Sequence, residues 1–403
     1  MRYDPDAQSG VDMNLGAILK AIHEGESDSV EFKRDADLKK IGKAISAFAN
    51  SDGGILILGV SDDGKVVGIQ DNSESLTERI TSFLQNGLSA PVQARLGREV
   101  LPEGRIHWIE VPRQRGFEPL RYAGNVYVRR ARSSVEPGPS ELAELYNMFG
   151  YIVTEERTVA GVGLDELDLP SFQRYLKRLG LDLEAEPQIA IENDLISRGV
   201  LAELGESACA TIYGLLAFGK SPQAYSQTQN FFVQCVSYAG KDRAAEVIEV
   251  LDAKGQLDEQ VRKTLGWLTA QPRREVYRGI ERIDIPLLPP KAAREVVVNA
   301  VAHRDYAIIG SKILVERFSD RVEFTSPGRL TNGLTPDSVR RGGNPRARNQ
   351  SITNFLLASG LMEQRGRGWP IIEAALREQG LAAPILEEDR EARWVRVTMS
   401  TVV

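Results

Sequence analysis

Two glutamates and a lysine lie close together near the start of the chain, in an arrangement that could do phosphodiester chemistry. Glu26 and Glu31 are five residues apart, and Lys33 shares the face of Glu31 because side chains alternate along a strand. Asp62 follows the next apolar strand, so pairing of the two strands would gather two or three carboxylates and one lysine. Such a cluster could hold Mg²⁺ or Mn²⁺ and activate water. The alternative is a chance Glu-x-Lys pattern beside ordinary turn residues.

A carboxylate and an amide form a second candidate pair late in the chain. Glu295 and Asn299 are four residues apart within the apolar segment 291–302, whose spacing predicts a helix, so they share one helical face. Set against a sheet, this pair could hold Mg²⁺ and orient the attacking water on ATP. The alternative is a polar stripe on an amphipathic helix.

The segment from residue 113 to residue 132 is strongly basic, with six arginines against a single glutamate. Guanidinium groups suit phosphate oxygens, and Tyr122 and Tyr127 could stack on bases, so the segment is a candidate nucleic-acid surface. We expect the contacts on two neighbouring strands, from Arg113, Arg115, Arg129, Arg130 and Arg132. The alternative is a solvated strand face. Residues 338–362 carry four more arginines and no acid, either as a lid over phosphates or as another polyanion contact.

The elements that position these residues indicate an α+β multidomain chain. Alternation predicts a strand over 29–34, a helix follows over 38–50, and a continuous apolar run predicts a buried strand over 55–60. Helices and strands alternate throughout the rest of the chain. We place domains at 12–150, 151–285 and 286–403, the middle one being a mixed connector without evident chemistry.

Composition narrows the class of protein. The chain has 403 residues and a net charge of −6, which excludes a generally basic protein that coats nucleic acid. Two cysteines without metal-like spacing and three histidines argue against a disulfide scaffold or a His-rich metal centre. The N-terminus lacks the apolar run of a signal peptide, and no segment approaches the roughly 20 apolar residues of a spanning helix. We therefore expect a cytoplasmic protein with no membrane partner.

The N-terminal motifs occur in an ordered run: Glu26-Ser27, then Val30 to Lys33 (VEFK), then residues 47–64 (AFANSDGGILILGVSDDG). Together they resemble the core signature of the Schlafen-type AlbA-like domain over residues 14–135. That family is described as DNA-binding, and its Schlafen members include RNA-cleaving enzymes. The resemblance implies that two glutamates, a lysine and an aspartate carry catalysis in the nuclease members, with the carboxylates as metal ligands. These positions match Glu26, Glu31, Lys33 and Asp62.

The C-terminal motifs also follow a family order, from Arg294-Glu295 and Asn299-Ala300 through residues 303–306 (HRDY) to residues 366–368 (GRG). They resemble the RecG-like C-terminal ATP-binding region of the GHKL ATPase group, which implies a GHKL-like α/β sandwich that binds ATP and Mg²⁺. By this resemblance Glu295 is the water-orienting base and Asn299 the Mg²⁺ ligand. Gly328 lies under the adenine, and the phosphates contact Arg348, Asn349, Gly366 and Gly368.

One position departs from the GHKL pattern. These enzymes usually recognise the adenine amino group through an aspartate, and Ser326 occupies the corresponding place. A serine hydroxyl can still accept a hydrogen bond, directly or through water. The helicase label of the family implies no P-loop chemistry here, because the chain lacks the Gly-x-x-x-x-Gly-Lys-Ser/Thr motif.

Three functions follow from these patterns. The first is an ATP-binding, nucleic-acid-binding transcriptional regulator. The second is an ATP-gated, metal-dependent nuclease of Schlafen type, acting in phage defence. The third is a scaffold in which both sites have decayed. DNA and RNA remain alternative partners, and a homodimer is an open alternative for the assembly.

Overall fold

The computed structural model describes residues 15–70, 73–114, 118–149, 153–181, 188–205, 207–270, 273–278, 281–331, 334–342, 347–363 and 368–402. The chain divides between residues 151 and 152 into two compact units. Each unit combines helices with its own sheet, as the predicted α+β class requires.

The first unit alternates helices and strands before ending in two hairpins and a helix. Its elements are α1 (Leu15–Glu24), β1 (Val30–Lys33), α2 (Leu38–Asn50), β2 (Gly54–Leu58), α3 (Ser73–Asn86), β3 (Arg95–Leu101), β4 (Gly104–Val111), β5 (Arg121–Tyr122), β6 (Asn125–Val126), β7 (Val128–Arg130), β8 (Ser133–Val135) and α4 (Pro139–Met148).

A four-stranded sheet in the order β1-β2-β4-β3 forms the centre of this unit. Strands β1 and β2 are parallel neighbours, with Lys33 opposite Leu58. Apolar residues cover both faces of the sheet. Phe32 packs with Ile18 of α1 on one face, and Leu56 packs with Phe48 of α2 on the other. A sheet buried on both faces explains the continuous apolar sequence of β2.

Asn50, at the end of α2, connects the sheet layer to the hairpins. Its buried side-chain amide donates to the carbonyl oxygens of Leu120 (2.8 Å) and Tyr127 (3.0 Å) and accepts from the Leu120 N–H at 2.7 Å. Gly53 follows with a φ of +81°, and a Cβ there would lie 2.7 Å from the Val111 carbonyl oxygen. A glycine is therefore required at this turn.

The second unit contains more elements and one larger sheet. Two 3₁₀ turns, Thr154–Glu156 and Leu164–Glu166, precede the first helix. The other elements are α5 (Leu169–Arg178), α6 (Gln188–Ser197), β9 (Leu201–Leu204), β10 (Ser207–Ala210), α7 (Ile212–Phe218), β11 (Val233–Tyr238), β12 (Val247–Ala253), α8 (Leu257–Ala270), β13 (Arg273–Arg278), β14 (Glu281–Pro286), α9 (Pro290–Ala302), β15 (Ile313–Arg317), β16 (Arg321–Pro327), α10 (Pro336–Arg341), α11 (Gln350–Ala358), α12 (Gly368–Glu378), β17 (Ile385–Asp389) and β18 (Trp394–Ser400).

Six strands form the mixed sheet of the second unit, in the order β12-β11-β15-β16-β18-β17. Strands β11 and β15 are parallel, and the other neighbouring pairs are antiparallel. One apolar core joins this sheet to α7, α8, α9, α11 and α12. Strands from the predicted connector and from the predicted GHKL-like region share the sheet. The predicted boundary at residues 285 and 286 therefore falls inside one compact unit.

Candidate functional site

Helix α9 places Glu295 and Asn299 side by side, as their spacing predicts. Pro289 and Pro290 begin the helix, and its valines pack into the core, which fixes the polar face. The Asn299 amide nitrogen donates to Glu295 Oε1 at 3.1 Å. Because the amide group uses an N–H for this bond, its oxygen remains available as an acceptor or metal ligand.

The Glu295 carboxyl group lies in an environment that favours its neutral form. It is buried, and this burial raises its pKa above the ordinary value, with Glu363 adding in the same direction. The bond from Asn299 and the charge of Arg294 oppose the rise. A carboxylate whose pKa is raised toward neutrality is suited to accept a proton.

A cavity of about 460 Å³ opens beside these two residues. Five predicted site residues line it: Glu295, Asn299, Ser326, Gly328 and Gly368. They come from α9, β16 and α12 and from the turn after β16. The remaining lining is largely apolar, and it includes Leu330, Leu334, Val339, Met362 and Ile372. An apolar cavity with a few convergent polar groups is the usual form of a small-molecule site.

Two glycines in the cavity wall lie so close to their neighbours that an added Cβ would force those neighbours to shift. Gly328 has a φ of +116°, and a Cβ there would lie 2.5 Å from Asp305 Cβ. A Cβ at Gly368 would lie 2.4 Å from Glu295 Oε1 and 3.3 Å from the Asn299 amide nitrogen. Gly368 belongs to α12, so this helix lies directly against the Glu295–Asn299 pair.

Ser326 joins β16 to α9. Its hydroxyl donates to the Ala300 carbonyl oxygen at 2.8 Å, and the residue also lines the cavity. Because a hydroxyl that donates one hydrogen bond keeps its acceptor lone pairs, Ser326 can still accept from a ligand.

Arg348 and Asn349, predicted to contact phosphates, lie beside the cavity rather than in its described lining. The Asn349 amide donates to the carbonyl oxygens of Ala302 (2.9 Å) and Arg304 (2.8 Å). Arg348 donates to Asp305 Oδ2 (3.2 Å) and to the Arg329 carbonyl oxygen (2.6 Å). Both side chains therefore hold the loop that follows α9. Gly366, the remaining predicted phosphate contact, lies outside the described residues.

Several cavity residues have no predicted role, among them His303, Arg329 and Glu363. His303 belongs to the motif at residues 303–306, which was the available signal. Burial, together with the charge of Arg348, lowers the pKa of His303 to about 4, so its imidazole is neutral at pH 7. The next residue, Arg304, is buried and donates to the carbonyl oxygens of Asp305 (2.7 Å), Ile308 (2.7 Å) and Ser311 (2.6 Å).

In the first unit, Glu31 lies buried between two cations. Lys33 Nζ is 2.5 Å from Glu31 Oε1, which confirms that the two side chains share a strand face. Glu31 Oε2 forms an ion pair with Arg129 and accepts from Ser134 Oγ at 2.9 Å. Burial lowers the pKa of Arg129, and the charge of Glu31 opposes this shift. Both oxygens of Glu31 are therefore engaged within the protein.

The other two predicted carboxylates, Glu26 and Asp62, have different bonding partners. Glu26 accepts from the Phe32 backbone N–H at 2.8 Å. Asp62 is exposed in the turn after β2, next to Asp63, whose bonds to Ser61 and Lys65 lower its pKa to about 2. In the described part of the chain, no group of three or more His, Cys, Asp or Glu side chains has a metal-binding arrangement.

The predicted arginine surface is smaller than expected. Arg129 is buried against Glu31, and β7 pairs with β8 rather than with the strand that precedes Arg113. Arg130 is exposed and pairs with Glu141, and Arg132 is exposed. Arg113 is half-buried with Asp52 at 3.7 Å, and Arg115 lies outside the described residues. Arg130 and Arg132 therefore remain as the exposed arginines of the predicted set within the described residues.

Tyr122 and Tyr127, predicted to stack on bases, pack inward instead. The ring of Tyr122 lies over Gly42, where a Cβ would come within 2.5 Å of it, and Tyr127 is buried. Among the helices that the structure describes, none is long and apolar enough to cross a membrane.

Comparisons with known proteins agree with both resemblances. The family model described as Schlafen, AlbA_2 matches residues 26–137, and the one described as "Putative ATP-dependent DNA helicase recG C-terminal" matches residues 310–399. No curated protein sequence matches the chain.

Two solved structures are similar to parts of the chain. The DIP2311 protein from Corynebacterium diphtheriae is 19% identical, with 96% of this chain and 79% of that chain covered and a TM-score of 0.47. The N-terminal domain of a RecG-related protein from Nitrosomonas europaea is 24% identical, with 24% of this chain and 71% of that chain covered and a TM-score of 0.21. By the two family models, the chain combines an N-terminal Schlafen AlbA_2 domain with a C-terminal ATPase-like domain.

Proposed function

We propose that the protein binds ATP with Mg²⁺ in the cavity beside α9 and binds nucleic acid through its first unit, as a transcriptional regulator whose state depends on ATP. The observation that carries this proposal is the Glu295–Asn299 pair at the wall of a largely apolar cavity. The two domain families indicate a nucleic-acid-related ATP-binding protein.

The cavity fits a nucleotide in size and chemistry. Its volume of about 460 Å³ lies within the range of ordinary ligand pockets. The apolar wall suits a purine ring, and the Ser326 oxygen can accept from its amino group. The Asn299 amide oxygen is the group that would hold Mg²⁺, which would neutralise phosphate charge when bound.

Two of the predicted phosphate contacts, Arg348 and Asn349, are engaged in holding the loop after α9, so the phosphates depend on the predicted Gly368 and on a further partner. Arg329 and Gly368 both line the cavity, and the Arg329 guanidinium lies 4.0 Å from the Glu388 carboxylate. The backbone N–H of a glycine can approach a phosphate closely because no side chain intervenes. We assign the phosphate contacts to these two groups and the role of proton acceptor to Glu295.

We favour binding over cleavage for the first unit. A nuclease site would require Glu31 to release Lys33 and Arg129 before it could hold a metal, and removing a carboxylate from a buried ion pair is costly. The exposed Arg132, and Arg130 of the exposed Arg130–Glu141 pair, can offer charge to phosphates without breaking a buried ion pair. A nuclease is the alternative function, and strand cleavage distinguishes it from a regulator.

The test incubates the full-length protein with labelled duplex DNA and single-stranded RNA, in Mg²⁺ and in Mn²⁺, with and without ATP. We expect a binding signal in fluorescence anisotropy that changes with ATP, and intact strands on a denaturing gel. Strand cleavage that is lost in Glu31→Gln would replace the regulator with the nuclease. Absence of both binding and cleavage would favour the scaffold.

A further inference from the structure

A carboxylate distant in sequence from the candidate catalytic pair lies at the N-terminus of a cavity helix. Glu155, in the turn Thr154–Glu156, is completely buried. Its Oε1 accepts from the Ser351 N–H at 2.9 Å and its Oε2 from the Ile352 N–H at 3.3 Å. Both donors belong to the first turn of α11. Glu155 therefore satisfies amides that have no partner within their own helix.

The turn that carries Glu155 is itself anchored. The Ile212 N–H donates to the Arg157 carbonyl oxygen at 2.9 Å, and Thr158 pairs with Thr211 next to α7. Because the turn directly follows the boundary between the two units, this contact joins the start of the second unit to α11.

From α11 a continuous set of contacts leads to the cavity. Gln350 and Thr353 of this helix line the cavity. Asn349, at the start of the helix, donates to the carbonyl oxygens of Ala302 and Arg304, which follow the Glu295–Asn299 turns of α9. A shift of the α11 N-terminus would therefore move the cavity wall and the end of α9 together.

We infer that Glu155 is a positioning residue for the ATP site: it fixes the N-terminus of α11 and, through Asn349, the end of α9 that carries Glu295 and Asn299. This inference rests on the proposed ATP site. Glu155 touches no ligand itself, so its effect should appear in ATP affinity through geometry alone.

The ionisation of Glu155 should make ATP affinity depend on pH, which a role in packing alone would not do. Burial raises its pKa to about 7, and the amides of α11 oppose the rise. The other titratable groups acting around it are Glu156, Tyr213 and Tyr306, and burial raises the pKa of both tyrosines, so they stay neutral near pH 7. The anion accepts with both oxygens, whereas the neutral acid must donate through one of them.

The experiment measures ATP·Mg²⁺ affinity by calorimetry at pH 6 and pH 8 for the full-length protein, Glu155→Gln and the matched exposed control Glu156→Gln. Glutamine resembles the neutral acid, so Glu155→Gln should bind ATP like the parent at pH 6 and about five- to tenfold more weakly at pH 8. Glu156→Gln removes only a minor contribution to the pKa of Glu155, so it should stay close to the parent at both pH values. The titration of ATP itself is common to all three proteins and cancels in the ratios.

Two outcomes separate this inference from the proposed function. If the parent binds ATP and Glu155→Gln matches it at both pH values, Glu155 does not position the site and the inference is wrong. If the parent binds no ATP, the proposed function is wrong and the inference falls with it. Hydrogen exchange without ATP checks the variant's fold: only the amides of α11 and of residues 302–305 should exchange faster in Glu155→Gln.

Discussion

Two buried glutamates of this protein have opposite surroundings. Glu31 in the first unit forms ion pairs with Lys33 and Arg129 and accepts from Ser134, so its charge is matched inside the protein. Glu295 in the second unit has a neutral amide as its bonded neighbour and lines a cavity, and burial raises its pKa. The arrangement around Glu31 is typical of a structural ion pair, whereas the arrangement around Glu295 leaves the carboxyl group able to bind a ligand. Local partners therefore distinguish the two roles, although both residues carry the same functional group.

The largest expected effect comes from removing the matched charge in the first unit. Glu31→Ala leaves Arg129 buried without its carboxylate, which should lower the free energy of unfolding by about 3–5 kcal/mol. The neighbouring pair gives the control: Arg130 and Glu141 are exposed, so Glu141→Ala should cost at most about 1 kcal/mol. Urea denaturation measures both. If the two substitutions lowered the free energy of unfolding equally, the distinction between the buried and the exposed ion pair would be wrong.

Glu155 extends the comparison to a buried carboxylate held by amides rather than by cations. Its pKa is raised from 4.5 to about 7 in the folded state, so the unfolded chain loses this proton first as the pH rises. The parent should therefore lose up to about 3 kcal/mol of stability, relative to Glu155→Gln, between pH 4.5 and pH 7. Chemical denaturation at several pH values measures the difference. Parallel pH profiles for the two proteins would contradict it.

Gly368 tests the space beside Glu295. Gly368→Ala would place a Cβ 2.4 Å from Glu295 Oε1, so the pair must shift, and ATP affinity should fall by about tenfold, or roughly 1.4 kcal/mol. Gly266→Ala in α8 is the matched control, because a Cβ there meets no atom within 4 Å. It should leave ATP affinity unchanged and stabilise the helix by roughly 0.5–1 kcal/mol. Calorimetric titration measures the ATP affinity of both variants. An unchanged affinity in Gly368→Ala would mean that the nucleotide does not bind beside Glu295.

The smallest effect concerns the exposed arginines beside the buried one. Changing Arg130 and Arg132 to alanine should flatten the salt dependence of nucleic-acid binding by up to about 2 in the log-log slope and weaken all sequences alike. Anisotropy titrations at several salt concentrations measure the slope. If the double variant keeps the affinity and slope of the parent, the arginine-rich residues 338–362 become the better candidate surface.

Sequence reasoning succeeded where the information was local. The spacing of Glu295 and Asn299 placed them together on α9, and alternation placed Glu31 and Lys33 on one face of β1. The motifs identified both domain families, because such motifs are ordered along the chain. Helix periodicity and strand alternation depend on neighbouring residues, so a single sequence contains them.

The sequence was least informative where partners are distant along the chain. Arg129 lies in a basic run, yet its burial depends on Glu31, nearly a hundred residues earlier, and no local pattern indicates that pairing. The partners of Asn349 are equally unpredictable from local sequence, because they are backbone carbonyl oxygens at the end of α9. The six-stranded sheet likewise joins strands from both sides of the predicted boundary at residues 285 and 286, which are distant along the chain.

The most direct test of the account is thermal unfolding of the full-length protein with and without millimolar ATP and Mg²⁺. At a ligand concentration of 100 times its dissociation constant, the parent should gain roughly 2.7 kcal/mol and melt several degrees higher. Asn299→Ala should lose this gain, and the control Asn86→Ala, changed at the end of α3, should keep it. A parent melting curve unchanged by ATP, or a full gain in Asn299→Ala, would contradict the assignment of the cavity beside α9 as the ATP site.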